Sequence, residues 1–374
     1  SAPPPPAART SPSSPPPLRL PSTTSSASPS PKVAGRLVRA RLAAMVITTD
    51  VSRLLGVEHP IICGGMHYVG YAEMAAAVSN AGGLGMITAL TQPDPEKLRA
   101  EIRKCKSLTS KPFGVNLTLL PALAPPDYGS YADVIISEGI RVVETAGRNP
   151  GKWIKKFKAA GLVVIHKCVA VRHALTAERL GADVISMDGF ECAGHPGEEE
   201  VGNWLLLPLA ARKLSVPFVV SGGCGDGRQL AAALCLGASG MNMGTRFMAT
   251  AEAPIHPNIK KALVEGTERD TTHVMRSVKN TERVYKNPVA LEVQKIEAKH
   301  PGDIMKIRHL VSGANYKKSF QESGDPTSSV WSCGPVMGLI DDVPTCKELV
   351  SRIVAEAEDV LNSKVAPMLP RSKL

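Results

Sequence analysis

The chain has 374 residues, of which 43% are hydrophobic, 4% aromatic and 21% charged, with a formal net charge of +10. That length holds one large domain or two modest ones, and no apolar run reaches the roughly 18 residues a membrane span needs. The charge alone would suit nucleic acid, but Arg9, Arg19, Lys32, Arg36, Arg39 and Arg41 all fall in an acid-free segment, so six of the ten charges belong to the first 49 residues and no basic stripe with interleaved aromatics follows.

Residues 1–44 are rich in Pro, Ser and Arg, a composition that cannot bury enough apolar surface to offset chain entropy, and disorder is expected there. An Arg- and Ser-rich, acid-free segment has the pattern of an organelle transit peptide. The stretch 34–45, AGRLVRARLAAM, could form a short basic amphipathic helix. A competing reading starts the protein at Met45. The first reading places it in a mitochondrion or plastid, the second in the cytoplasm.

From Met45 onward short β-like runs alternate with helical stretches. The strands are predicted at 60–63, 84–88, 112–117, 140–144, 162–166, 183–187, 217–221 and 240–243. Helix-length stretches lie between them, including 71–81, 94–107, 171–181, 203–214 and 226–236. Strands separated by helices call for a parallel sheet. Eight such units by residue 250 match a (β/α)₈ TIM barrel in count and length, although an open doubly wound sheet also alternates. Gly82, Gly161, Gly181 and Gly237 each stand where a helix should end, the usual place for a left-handed cap. Beyond residue 250 the segments HPNIKKALVEG and NPVALEVQKIEAKH read as helices, and a last helix is expected over 345–363. The expected organisation is a barrel at 45–253, a helical substrate cap at 254–315 and a C-terminal return at 316–374.

In such a barrel the active site lies at the C-terminal ends of the strands, which selects a few segments. After strands seven and eight come Ser221-Gly222-Gly223-Cys224-Gly225-Asp226-Gly227 and Met243-Gly244-Thr245-Arg246. Gly222, Gly223 and Gly244 let backbone N–H groups approach an anion, and Thr245 adds a hydroxyl, so a phosphate cradle is expected. A Rossmann reading of GGCGDG fails, because GxGxxG spacing is absent and no acidic residue ends a following strand. The Gly-rich loop after strand six holds His195, a group able to act as acid, base or hydrogen-bond donor. Gly65 and Met66 follow strand one, Asn116 strand three and Lys167 strand five. Met66 offers a soft contact for a planar ring, and Asn116 and Lys167 offer donors for a ring carbonyl or for negative charge. The eight cysteines form no CxxC and no zinc-finger spacing, so no metal site is predicted, and they read as reduced, mostly buried thiols.

At these residues the sequence resembles the nitronate monooxygenase (2-nitropropane dioxygenase) family of FMN-dependent TIM-barrel oxidoreductases. The match runs from about Thr49 to near residue 365 and rests on ECAGHPG, SGG…DGR and MGTRF. The segments HPIICGGMHYVG, FGVNLTLLP, HKCVAVRHALTAERLG, DGFECAGHPGE and NTERVYKNPVALEVQKIE are similar to its NADH:quinone reductase branch. The nitronate-oxidising members carry E-A-G-G-H in the His loop, whereas this chain reads Glu191-Cys192-Ala193-Gly194-His195. The resemblance implies FMN contacts at Gly65, Met66, Asn116, Lys167, Gly194, Gly222, Gly223, Gly244 and Thr245, with His195 facing the substrate. It implies NADH as co-substrate and a quinone as acceptor. The alternatives are oxidation of alkyl nitronates with O₂, and an enoyl-thioester reductase on a similar barrel. A homodimer is left open. The reading from another class is a basic binding protein that uses the N-terminal arm.

Overall fold

The computed structural model describes residues 47–119 and 125–368. The expectations of disorder, a transit segment and a short basic helix within 1–44 lie outside the described residues.

Eight parallel strands form the barrel: β1 (Ile61–Cys63), β2 (Gly85–Thr88), β3 (Phe113–Leu119), β4 (Val142–Gly147), β5 (Val163–Cys168), β6 (Val184–Asp188), β7 (Phe218–Ser221) and β8 (Met241–Met243). The strand order is β1-β8-β7-β6-β5-β4-β3-β2, and a parallel bridge between Ile62 and Leu84 closes the ring. This is the predicted TIM barrel, and each predicted strand overlaps an observed one. A short helix α1 (Asp50–Leu55) precedes β1. The connecting helices are α2 (Ala72–Asn80), α3 (Pro95–Leu108), α4 (Tyr128–Ser137), α5 (Gly151–Ala159), α6 (Val171–Leu180), α7 (Asn203–Lys213) and α8 (Gly227–Cys235). The four helix-ending glycines all take positive φ, as expected of C-terminal caps.

Side chains alternate faces along each strand, so residues two apart share the barrel interior. The lower interior layer is apolar and unites Ile62, Met86, Val142, Ile165, Val184 and Val219. Helix α1 adds Val51 and Leu55 to this layer and plugs the N-terminal mouth. Two residues further along the strands the layer becomes polar, with Asn116, Glu144, Lys167, Ser186, Ser221 and Asn242. That switch in one strand period prepares the site.

After β8 comes one helical turn, α9 (Thr245–Met248), and then an insertion before the last barrel helix. The insertion holds α10 (Pro257–Glu265), a hairpin of β9 (Thr271–Val274) and β10 (Glu282–Tyr285), α11 (Pro288–Lys299), and the short helices α12 (Ile304–Ile307) and α13 (Gly313–Lys317). Its own core gathers Val274, Met275, Val284, Val293, Ile307 and Val330. The two helices expected here are present. The hairpin was not anticipated, because strands of four residues, built from THV and ERVY, leave no detectable alternation. Helix α14 (Cys346–Asp359) then packs against α8 and α2 as the eighth barrel helix. The ends of the insertion meet: the Ala251 N–H donates to Pro344 O at 2.8 Å, and the Cys346 N–H donates to the Glu252 carboxylate at 2.9 Å. No helix among the described residues is long and apolar enough to cross a membrane.

Close packing of α2 on β2 makes a specific demand. A Cβ built on Gly85 would lie 1.9 Å from Ala75 O and 2.6 Å from Ala75 Cα. Gly85→Ala is expected to destabilise the fold by on the order of 3 kcal/mol, read as a lower urea midpoint at unchanged m-value. An unaltered midpoint would contradict this packing.

Candidate active site at the C-terminal end of the barrel

The polar interior layer is organised around Glu144, whose residue is fully buried. Its Oε1 accepts from the Gly65 N–H at 3.0 Å and from Asn116 Nδ2 at 2.8 Å. Its Oε2 accepts from Asn242 Nδ2 at 3.0 Å. Asn242 Nδ2 also donates to Ser186 Oγ at 3.2 Å, so β8 is joined across the barrel to both β4 and β6. Asn242 Oδ1 is buried and has no partner among the described residues.

Beside this network Lys167 projects from β5. Its Nζ lies 3.4 Å from Asp188 Oδ2 and 3.4 Å from Ser221 Oγ. Burial alone would lower the ammonium's pKa, but Asp188 and Glu144 outweigh it and hold the group above its ordinary value. Burial pushes the Asp188 carboxyl up, opposed chiefly by Lys167. The long contacts leave Lys167 with donor capacity toward the space above it.

Above the polar layer opens a cavity of about 930 Å³. All ten predicted site residues line it: Gly65, Met66, Asn116, Lys167, Gly194, His195, Gly222, Gly223, Gly244 and Thr245. On one side lies the glycine loop after β7, where Gly222 has φ +87° and Gly223 φ +70°. A Cβ on Gly222 would fall 2.7 Å from Cys192 Cβ and 2.8 Å from Cys192 N, so glycine is required both by conformation and by space. Asn203, the first residue of α7, donates from Nδ2 to Ser221 O at 2.9 Å and to Gly222 O at 2.8 Å. Gln229 of α8 donates to Gly223 O. With these carbonyls tied back, the Gly222 and Gly223 N–H groups bond to no other described residue. Gly244 differs: its φ is −115°, and an added Cβ would reach Met66 Sδ at an ordinary 3.5 Å. Thr245 Oγ1 accepts from the Gly334 N–H at 3.0 Å, which uses a lone pair and leaves its proton to donate. Arg246 turns away from the cavity and pairs with Asp342 at 2.7 Å.

Packed against the glycine loop is the His loop, which the insertion holds. Gly194 and Arg283 exchange backbone hydrogen bonds of 3.1 and 2.6 Å. The Glu198 carboxylate accepts from Thr281 N at 2.9 Å and Thr281 Oγ1 at 2.6 Å, and Glu200 pairs with Arg276. Between these ties, His195 Nε2 lies 3.2 Å from Asn280 Nδ2. The turn bearing Asn280 contains two non-glycine residues of positive φ, Met275 at +59° and Lys279 at +52°. Glu297 of α11 holds that turn by accepting from Met275 N at 2.8 Å and Ser277 N at 3.0 Å.

Glu144, Asn242 and Asn280 were not anticipated from sequence, and Asp188 was noticed only as part of its loop. The available signal was a polar residue interrupting an apolar strand, as in RVVETAG and GMNM. Seven of the eight cysteines are buried, and Cys235 is exposed.

The nitronate monooxygenase family model matches residues 48–356. The chain belongs to that family. The nitronate monooxygenase of Pseudomonas aeruginosa is 34% identical over 58% of this chain and 74% of the relative. A (3aS,4S,5R,7aS)-5-hydroxy-7a-methyl-1-oxo-octahydro-1H-indene-4-carboxyl-CoA dehydrogenase from Rhodococcus jostii is 35% identical over 83% of this chain and 96% of the relative. Among solved structures, FabK from Thermotoga maritima superposes with a TM-score of 0.78 at 34% identity, covering 85% of this chain and 98% of that one. This member of the nitronate monooxygenase family is thus an oxidoreductase on a TIM barrel, with its cavity where the fold places active sites.

His166 of β5, also in the cavity lining, carries a shifted imidazole. Burial drives the His166 imidazole down from 6.5 to about 4, against the opposing pull of a hydrogen bond to the Thr145 backbone. The unfolded chain takes up this proton near pH 6.5 and the folded chain only near pH 4. Stability from this group is therefore complete above pH 6.5 and is lost as pH falls toward 4, by up to about 3 kcal/mol. Urea denaturation at pH 7 and about pH 4.5 should show a steeper loss for the native protein than for His166→Asn. Equal slopes would rule out a neutral, buried His166.

Proposed function

We propose that the protein is an FMN-dependent oxidoreductase that takes a hydride from NADH and delivers it to a quinone. The observation that carries this reading is the joining of three elements in one cavity: a glycine cradle, a donor-rich floor and the His195 imidazole. FMN fits these residues. The Gly222 and Gly223 N–H groups suit its phosphate. The unpartnered Asn242 Oδ1 and the loosely held Lys167 ammonium supply an acceptor and a cation for its polar ring edge. Gly65, Met66, Asn116, Gly194, Gly244 and Thr245 would complete the contacts.

When bound, FMN supplies the two-electron chemistry that no side chain here can perform. The chain's own residues position and polarise. Lys167 places positive charge where two electrons arrive, and Asp188 and Glu144 keep that ammonium protonated. His195 donates a hydrogen bond to the quinone oxygen on which charge develops. The acceptor gains one hydride and one proton, and NADH leaves as NAD⁺ before the acceptor enters the same cavity.

A second reading has its own support. The Rhodococcus relative is named for a CoA-linked substrate and is similar over nearly its full length. The outer part of the cavity is lined by Arg148, Arg172 and Lys279, cations that suit a phosphorylated carrier. In that case an unsaturated thioester would take the quinone's place.

Anaerobic mixing with excess NADH should bleach the flavin band, and benzoquinone should restore it. Reoxidation only by an enoyl-CoA would favour the thioester reading. A flavin reduced by an alkyl nitronate and not by NADH would favour nitronate oxidation. His195→Ala should keep its flavin and lose turnover by roughly 100-fold or more; undiminished turnover would remove His195 from the chemistry. Gly222→Ala should purify with little flavin, and a fully yellow variant would contradict the cradle.

A further inference from the structure

We infer that Asn280, on the turn between β9 and β10, is a positioning residue that sets the tautomer of His195 and thereby makes it a hydrogen-bond donor, with no proton of its own to transfer. This rests on the reading of His195 as the group that faces the acceptor oxygen.

The contact is 3.2 Å between Asn280 Nδ2 and His195 Nε2. An amide nitrogen is a donor only, so the ring nitrogen it faces must accept. Nε2 then bears no proton, the ring is neutral, and its one N–H is at Nδ1. A neutral imidazole can polarise a carbonyl oxygen through that N–H. It cannot release the proton without forming an imidazolate, so the proton that completes reduction comes from a donor other than His195.

The pairing is built into the backbone on both sides. Asn280 is followed directly by Thr281, which Glu198 grips, and by Arg283, whose backbone is bridged to Gly194. His195 lies between Gly194 and Glu198 on the facing loop. The two ties bracket His195 on its loop, and on the hairpin both lie within three residues after Asn280. The turn itself is held against its two left-handed residues by Glu297 on α11. Asn280 lies 85 residues from His195 in sequence and belongs to the NTERVY segment.

The test uses flavin-loaded full chain labelled with ¹⁵N-histidine. Long-range ¹H–¹⁵N spectra read the tautomer, with the His195 signals identified by their absence from His195→Gln. The expected native state is the Nδ1–H form. In Asn280→Ala the signal should shift toward the Nε2–H form, while kcat for benzoquinone falls roughly 10-fold and KM changes little. Asn280→Asp presents only acceptors, so it should reverse the tautomer and leave kcat low, whereas Asn280→Gln, which keeps the amide donor, should recover part of it. A native Nε2–H tautomer, or a tautomer indifferent to Asn280→Ala, would overturn the inference. If the native protein shows no quinone turnover, the quinone reading fails, and the spectra still decide the pairing.

Discussion

A carboxylate sealed inside the barrel organises everything above it. Moving such a group out of water costs several kcal/mol unless its lone pairs are satisfied. Glu144 meets that requirement with donors from three other strands or strand ends: Gly65 N, Asn116 Nδ2 and Asn242 Nδ2. The same carboxylate helps hold Lys167 protonated. Breaking this node would release the loop after β1, free two asparagine amides and leave the ammonium with Asp188 as its main counter-charge. The cavity floor therefore behaves as one unit, and its geometry is inherited from strand register.

The two walls of the cavity are held differently. The glycine loop is fixed from within the barrel, by Asn203 and Gln229 at the starts of neighbouring helices. The His loop is fixed from outside, by a hairpin that arrives much later in the chain. One wall thus follows the general geometry of a barrel rim, while the other depends on the cap the chain supplies. Chemistry common to flavin barrels can sit on the first wall, and choice of substrate on the second.

Much of this was legible in the sequence because the barrel repeats one local rule eight times. Short apolar runs bounded by Gly or Pro, such as PIIC and PFVVS, read directly as buried parallel strands. Residues just beyond those runs, among them Lys167, Gly222 and His195, could be assigned to one rim by the fold rule alone. Glu144 and Asn242 escaped because they sit inside strands, where a polar residue reads as a flaw in the pattern; their meaning is a contact between positions 98 apart. Asn280 escaped for the same reason. The hairpin that carries it has strands too short to show a period, and its stability comes from pairing with the His loop, which no local window contains.

The insertion between α9 and α14 leaves the barrel and re-enters it at one point, where Ala251 and Pro344 share a backbone hydrogen bond. A segment whose ends touch can be lengthened, shortened or exchanged with little disturbance to what it interrupts, since the chain on either side already knows where to go. In this chain the sealed carboxylate ties the rim to strand register, while the cap is a self-contained module joined to the barrel at a single seam.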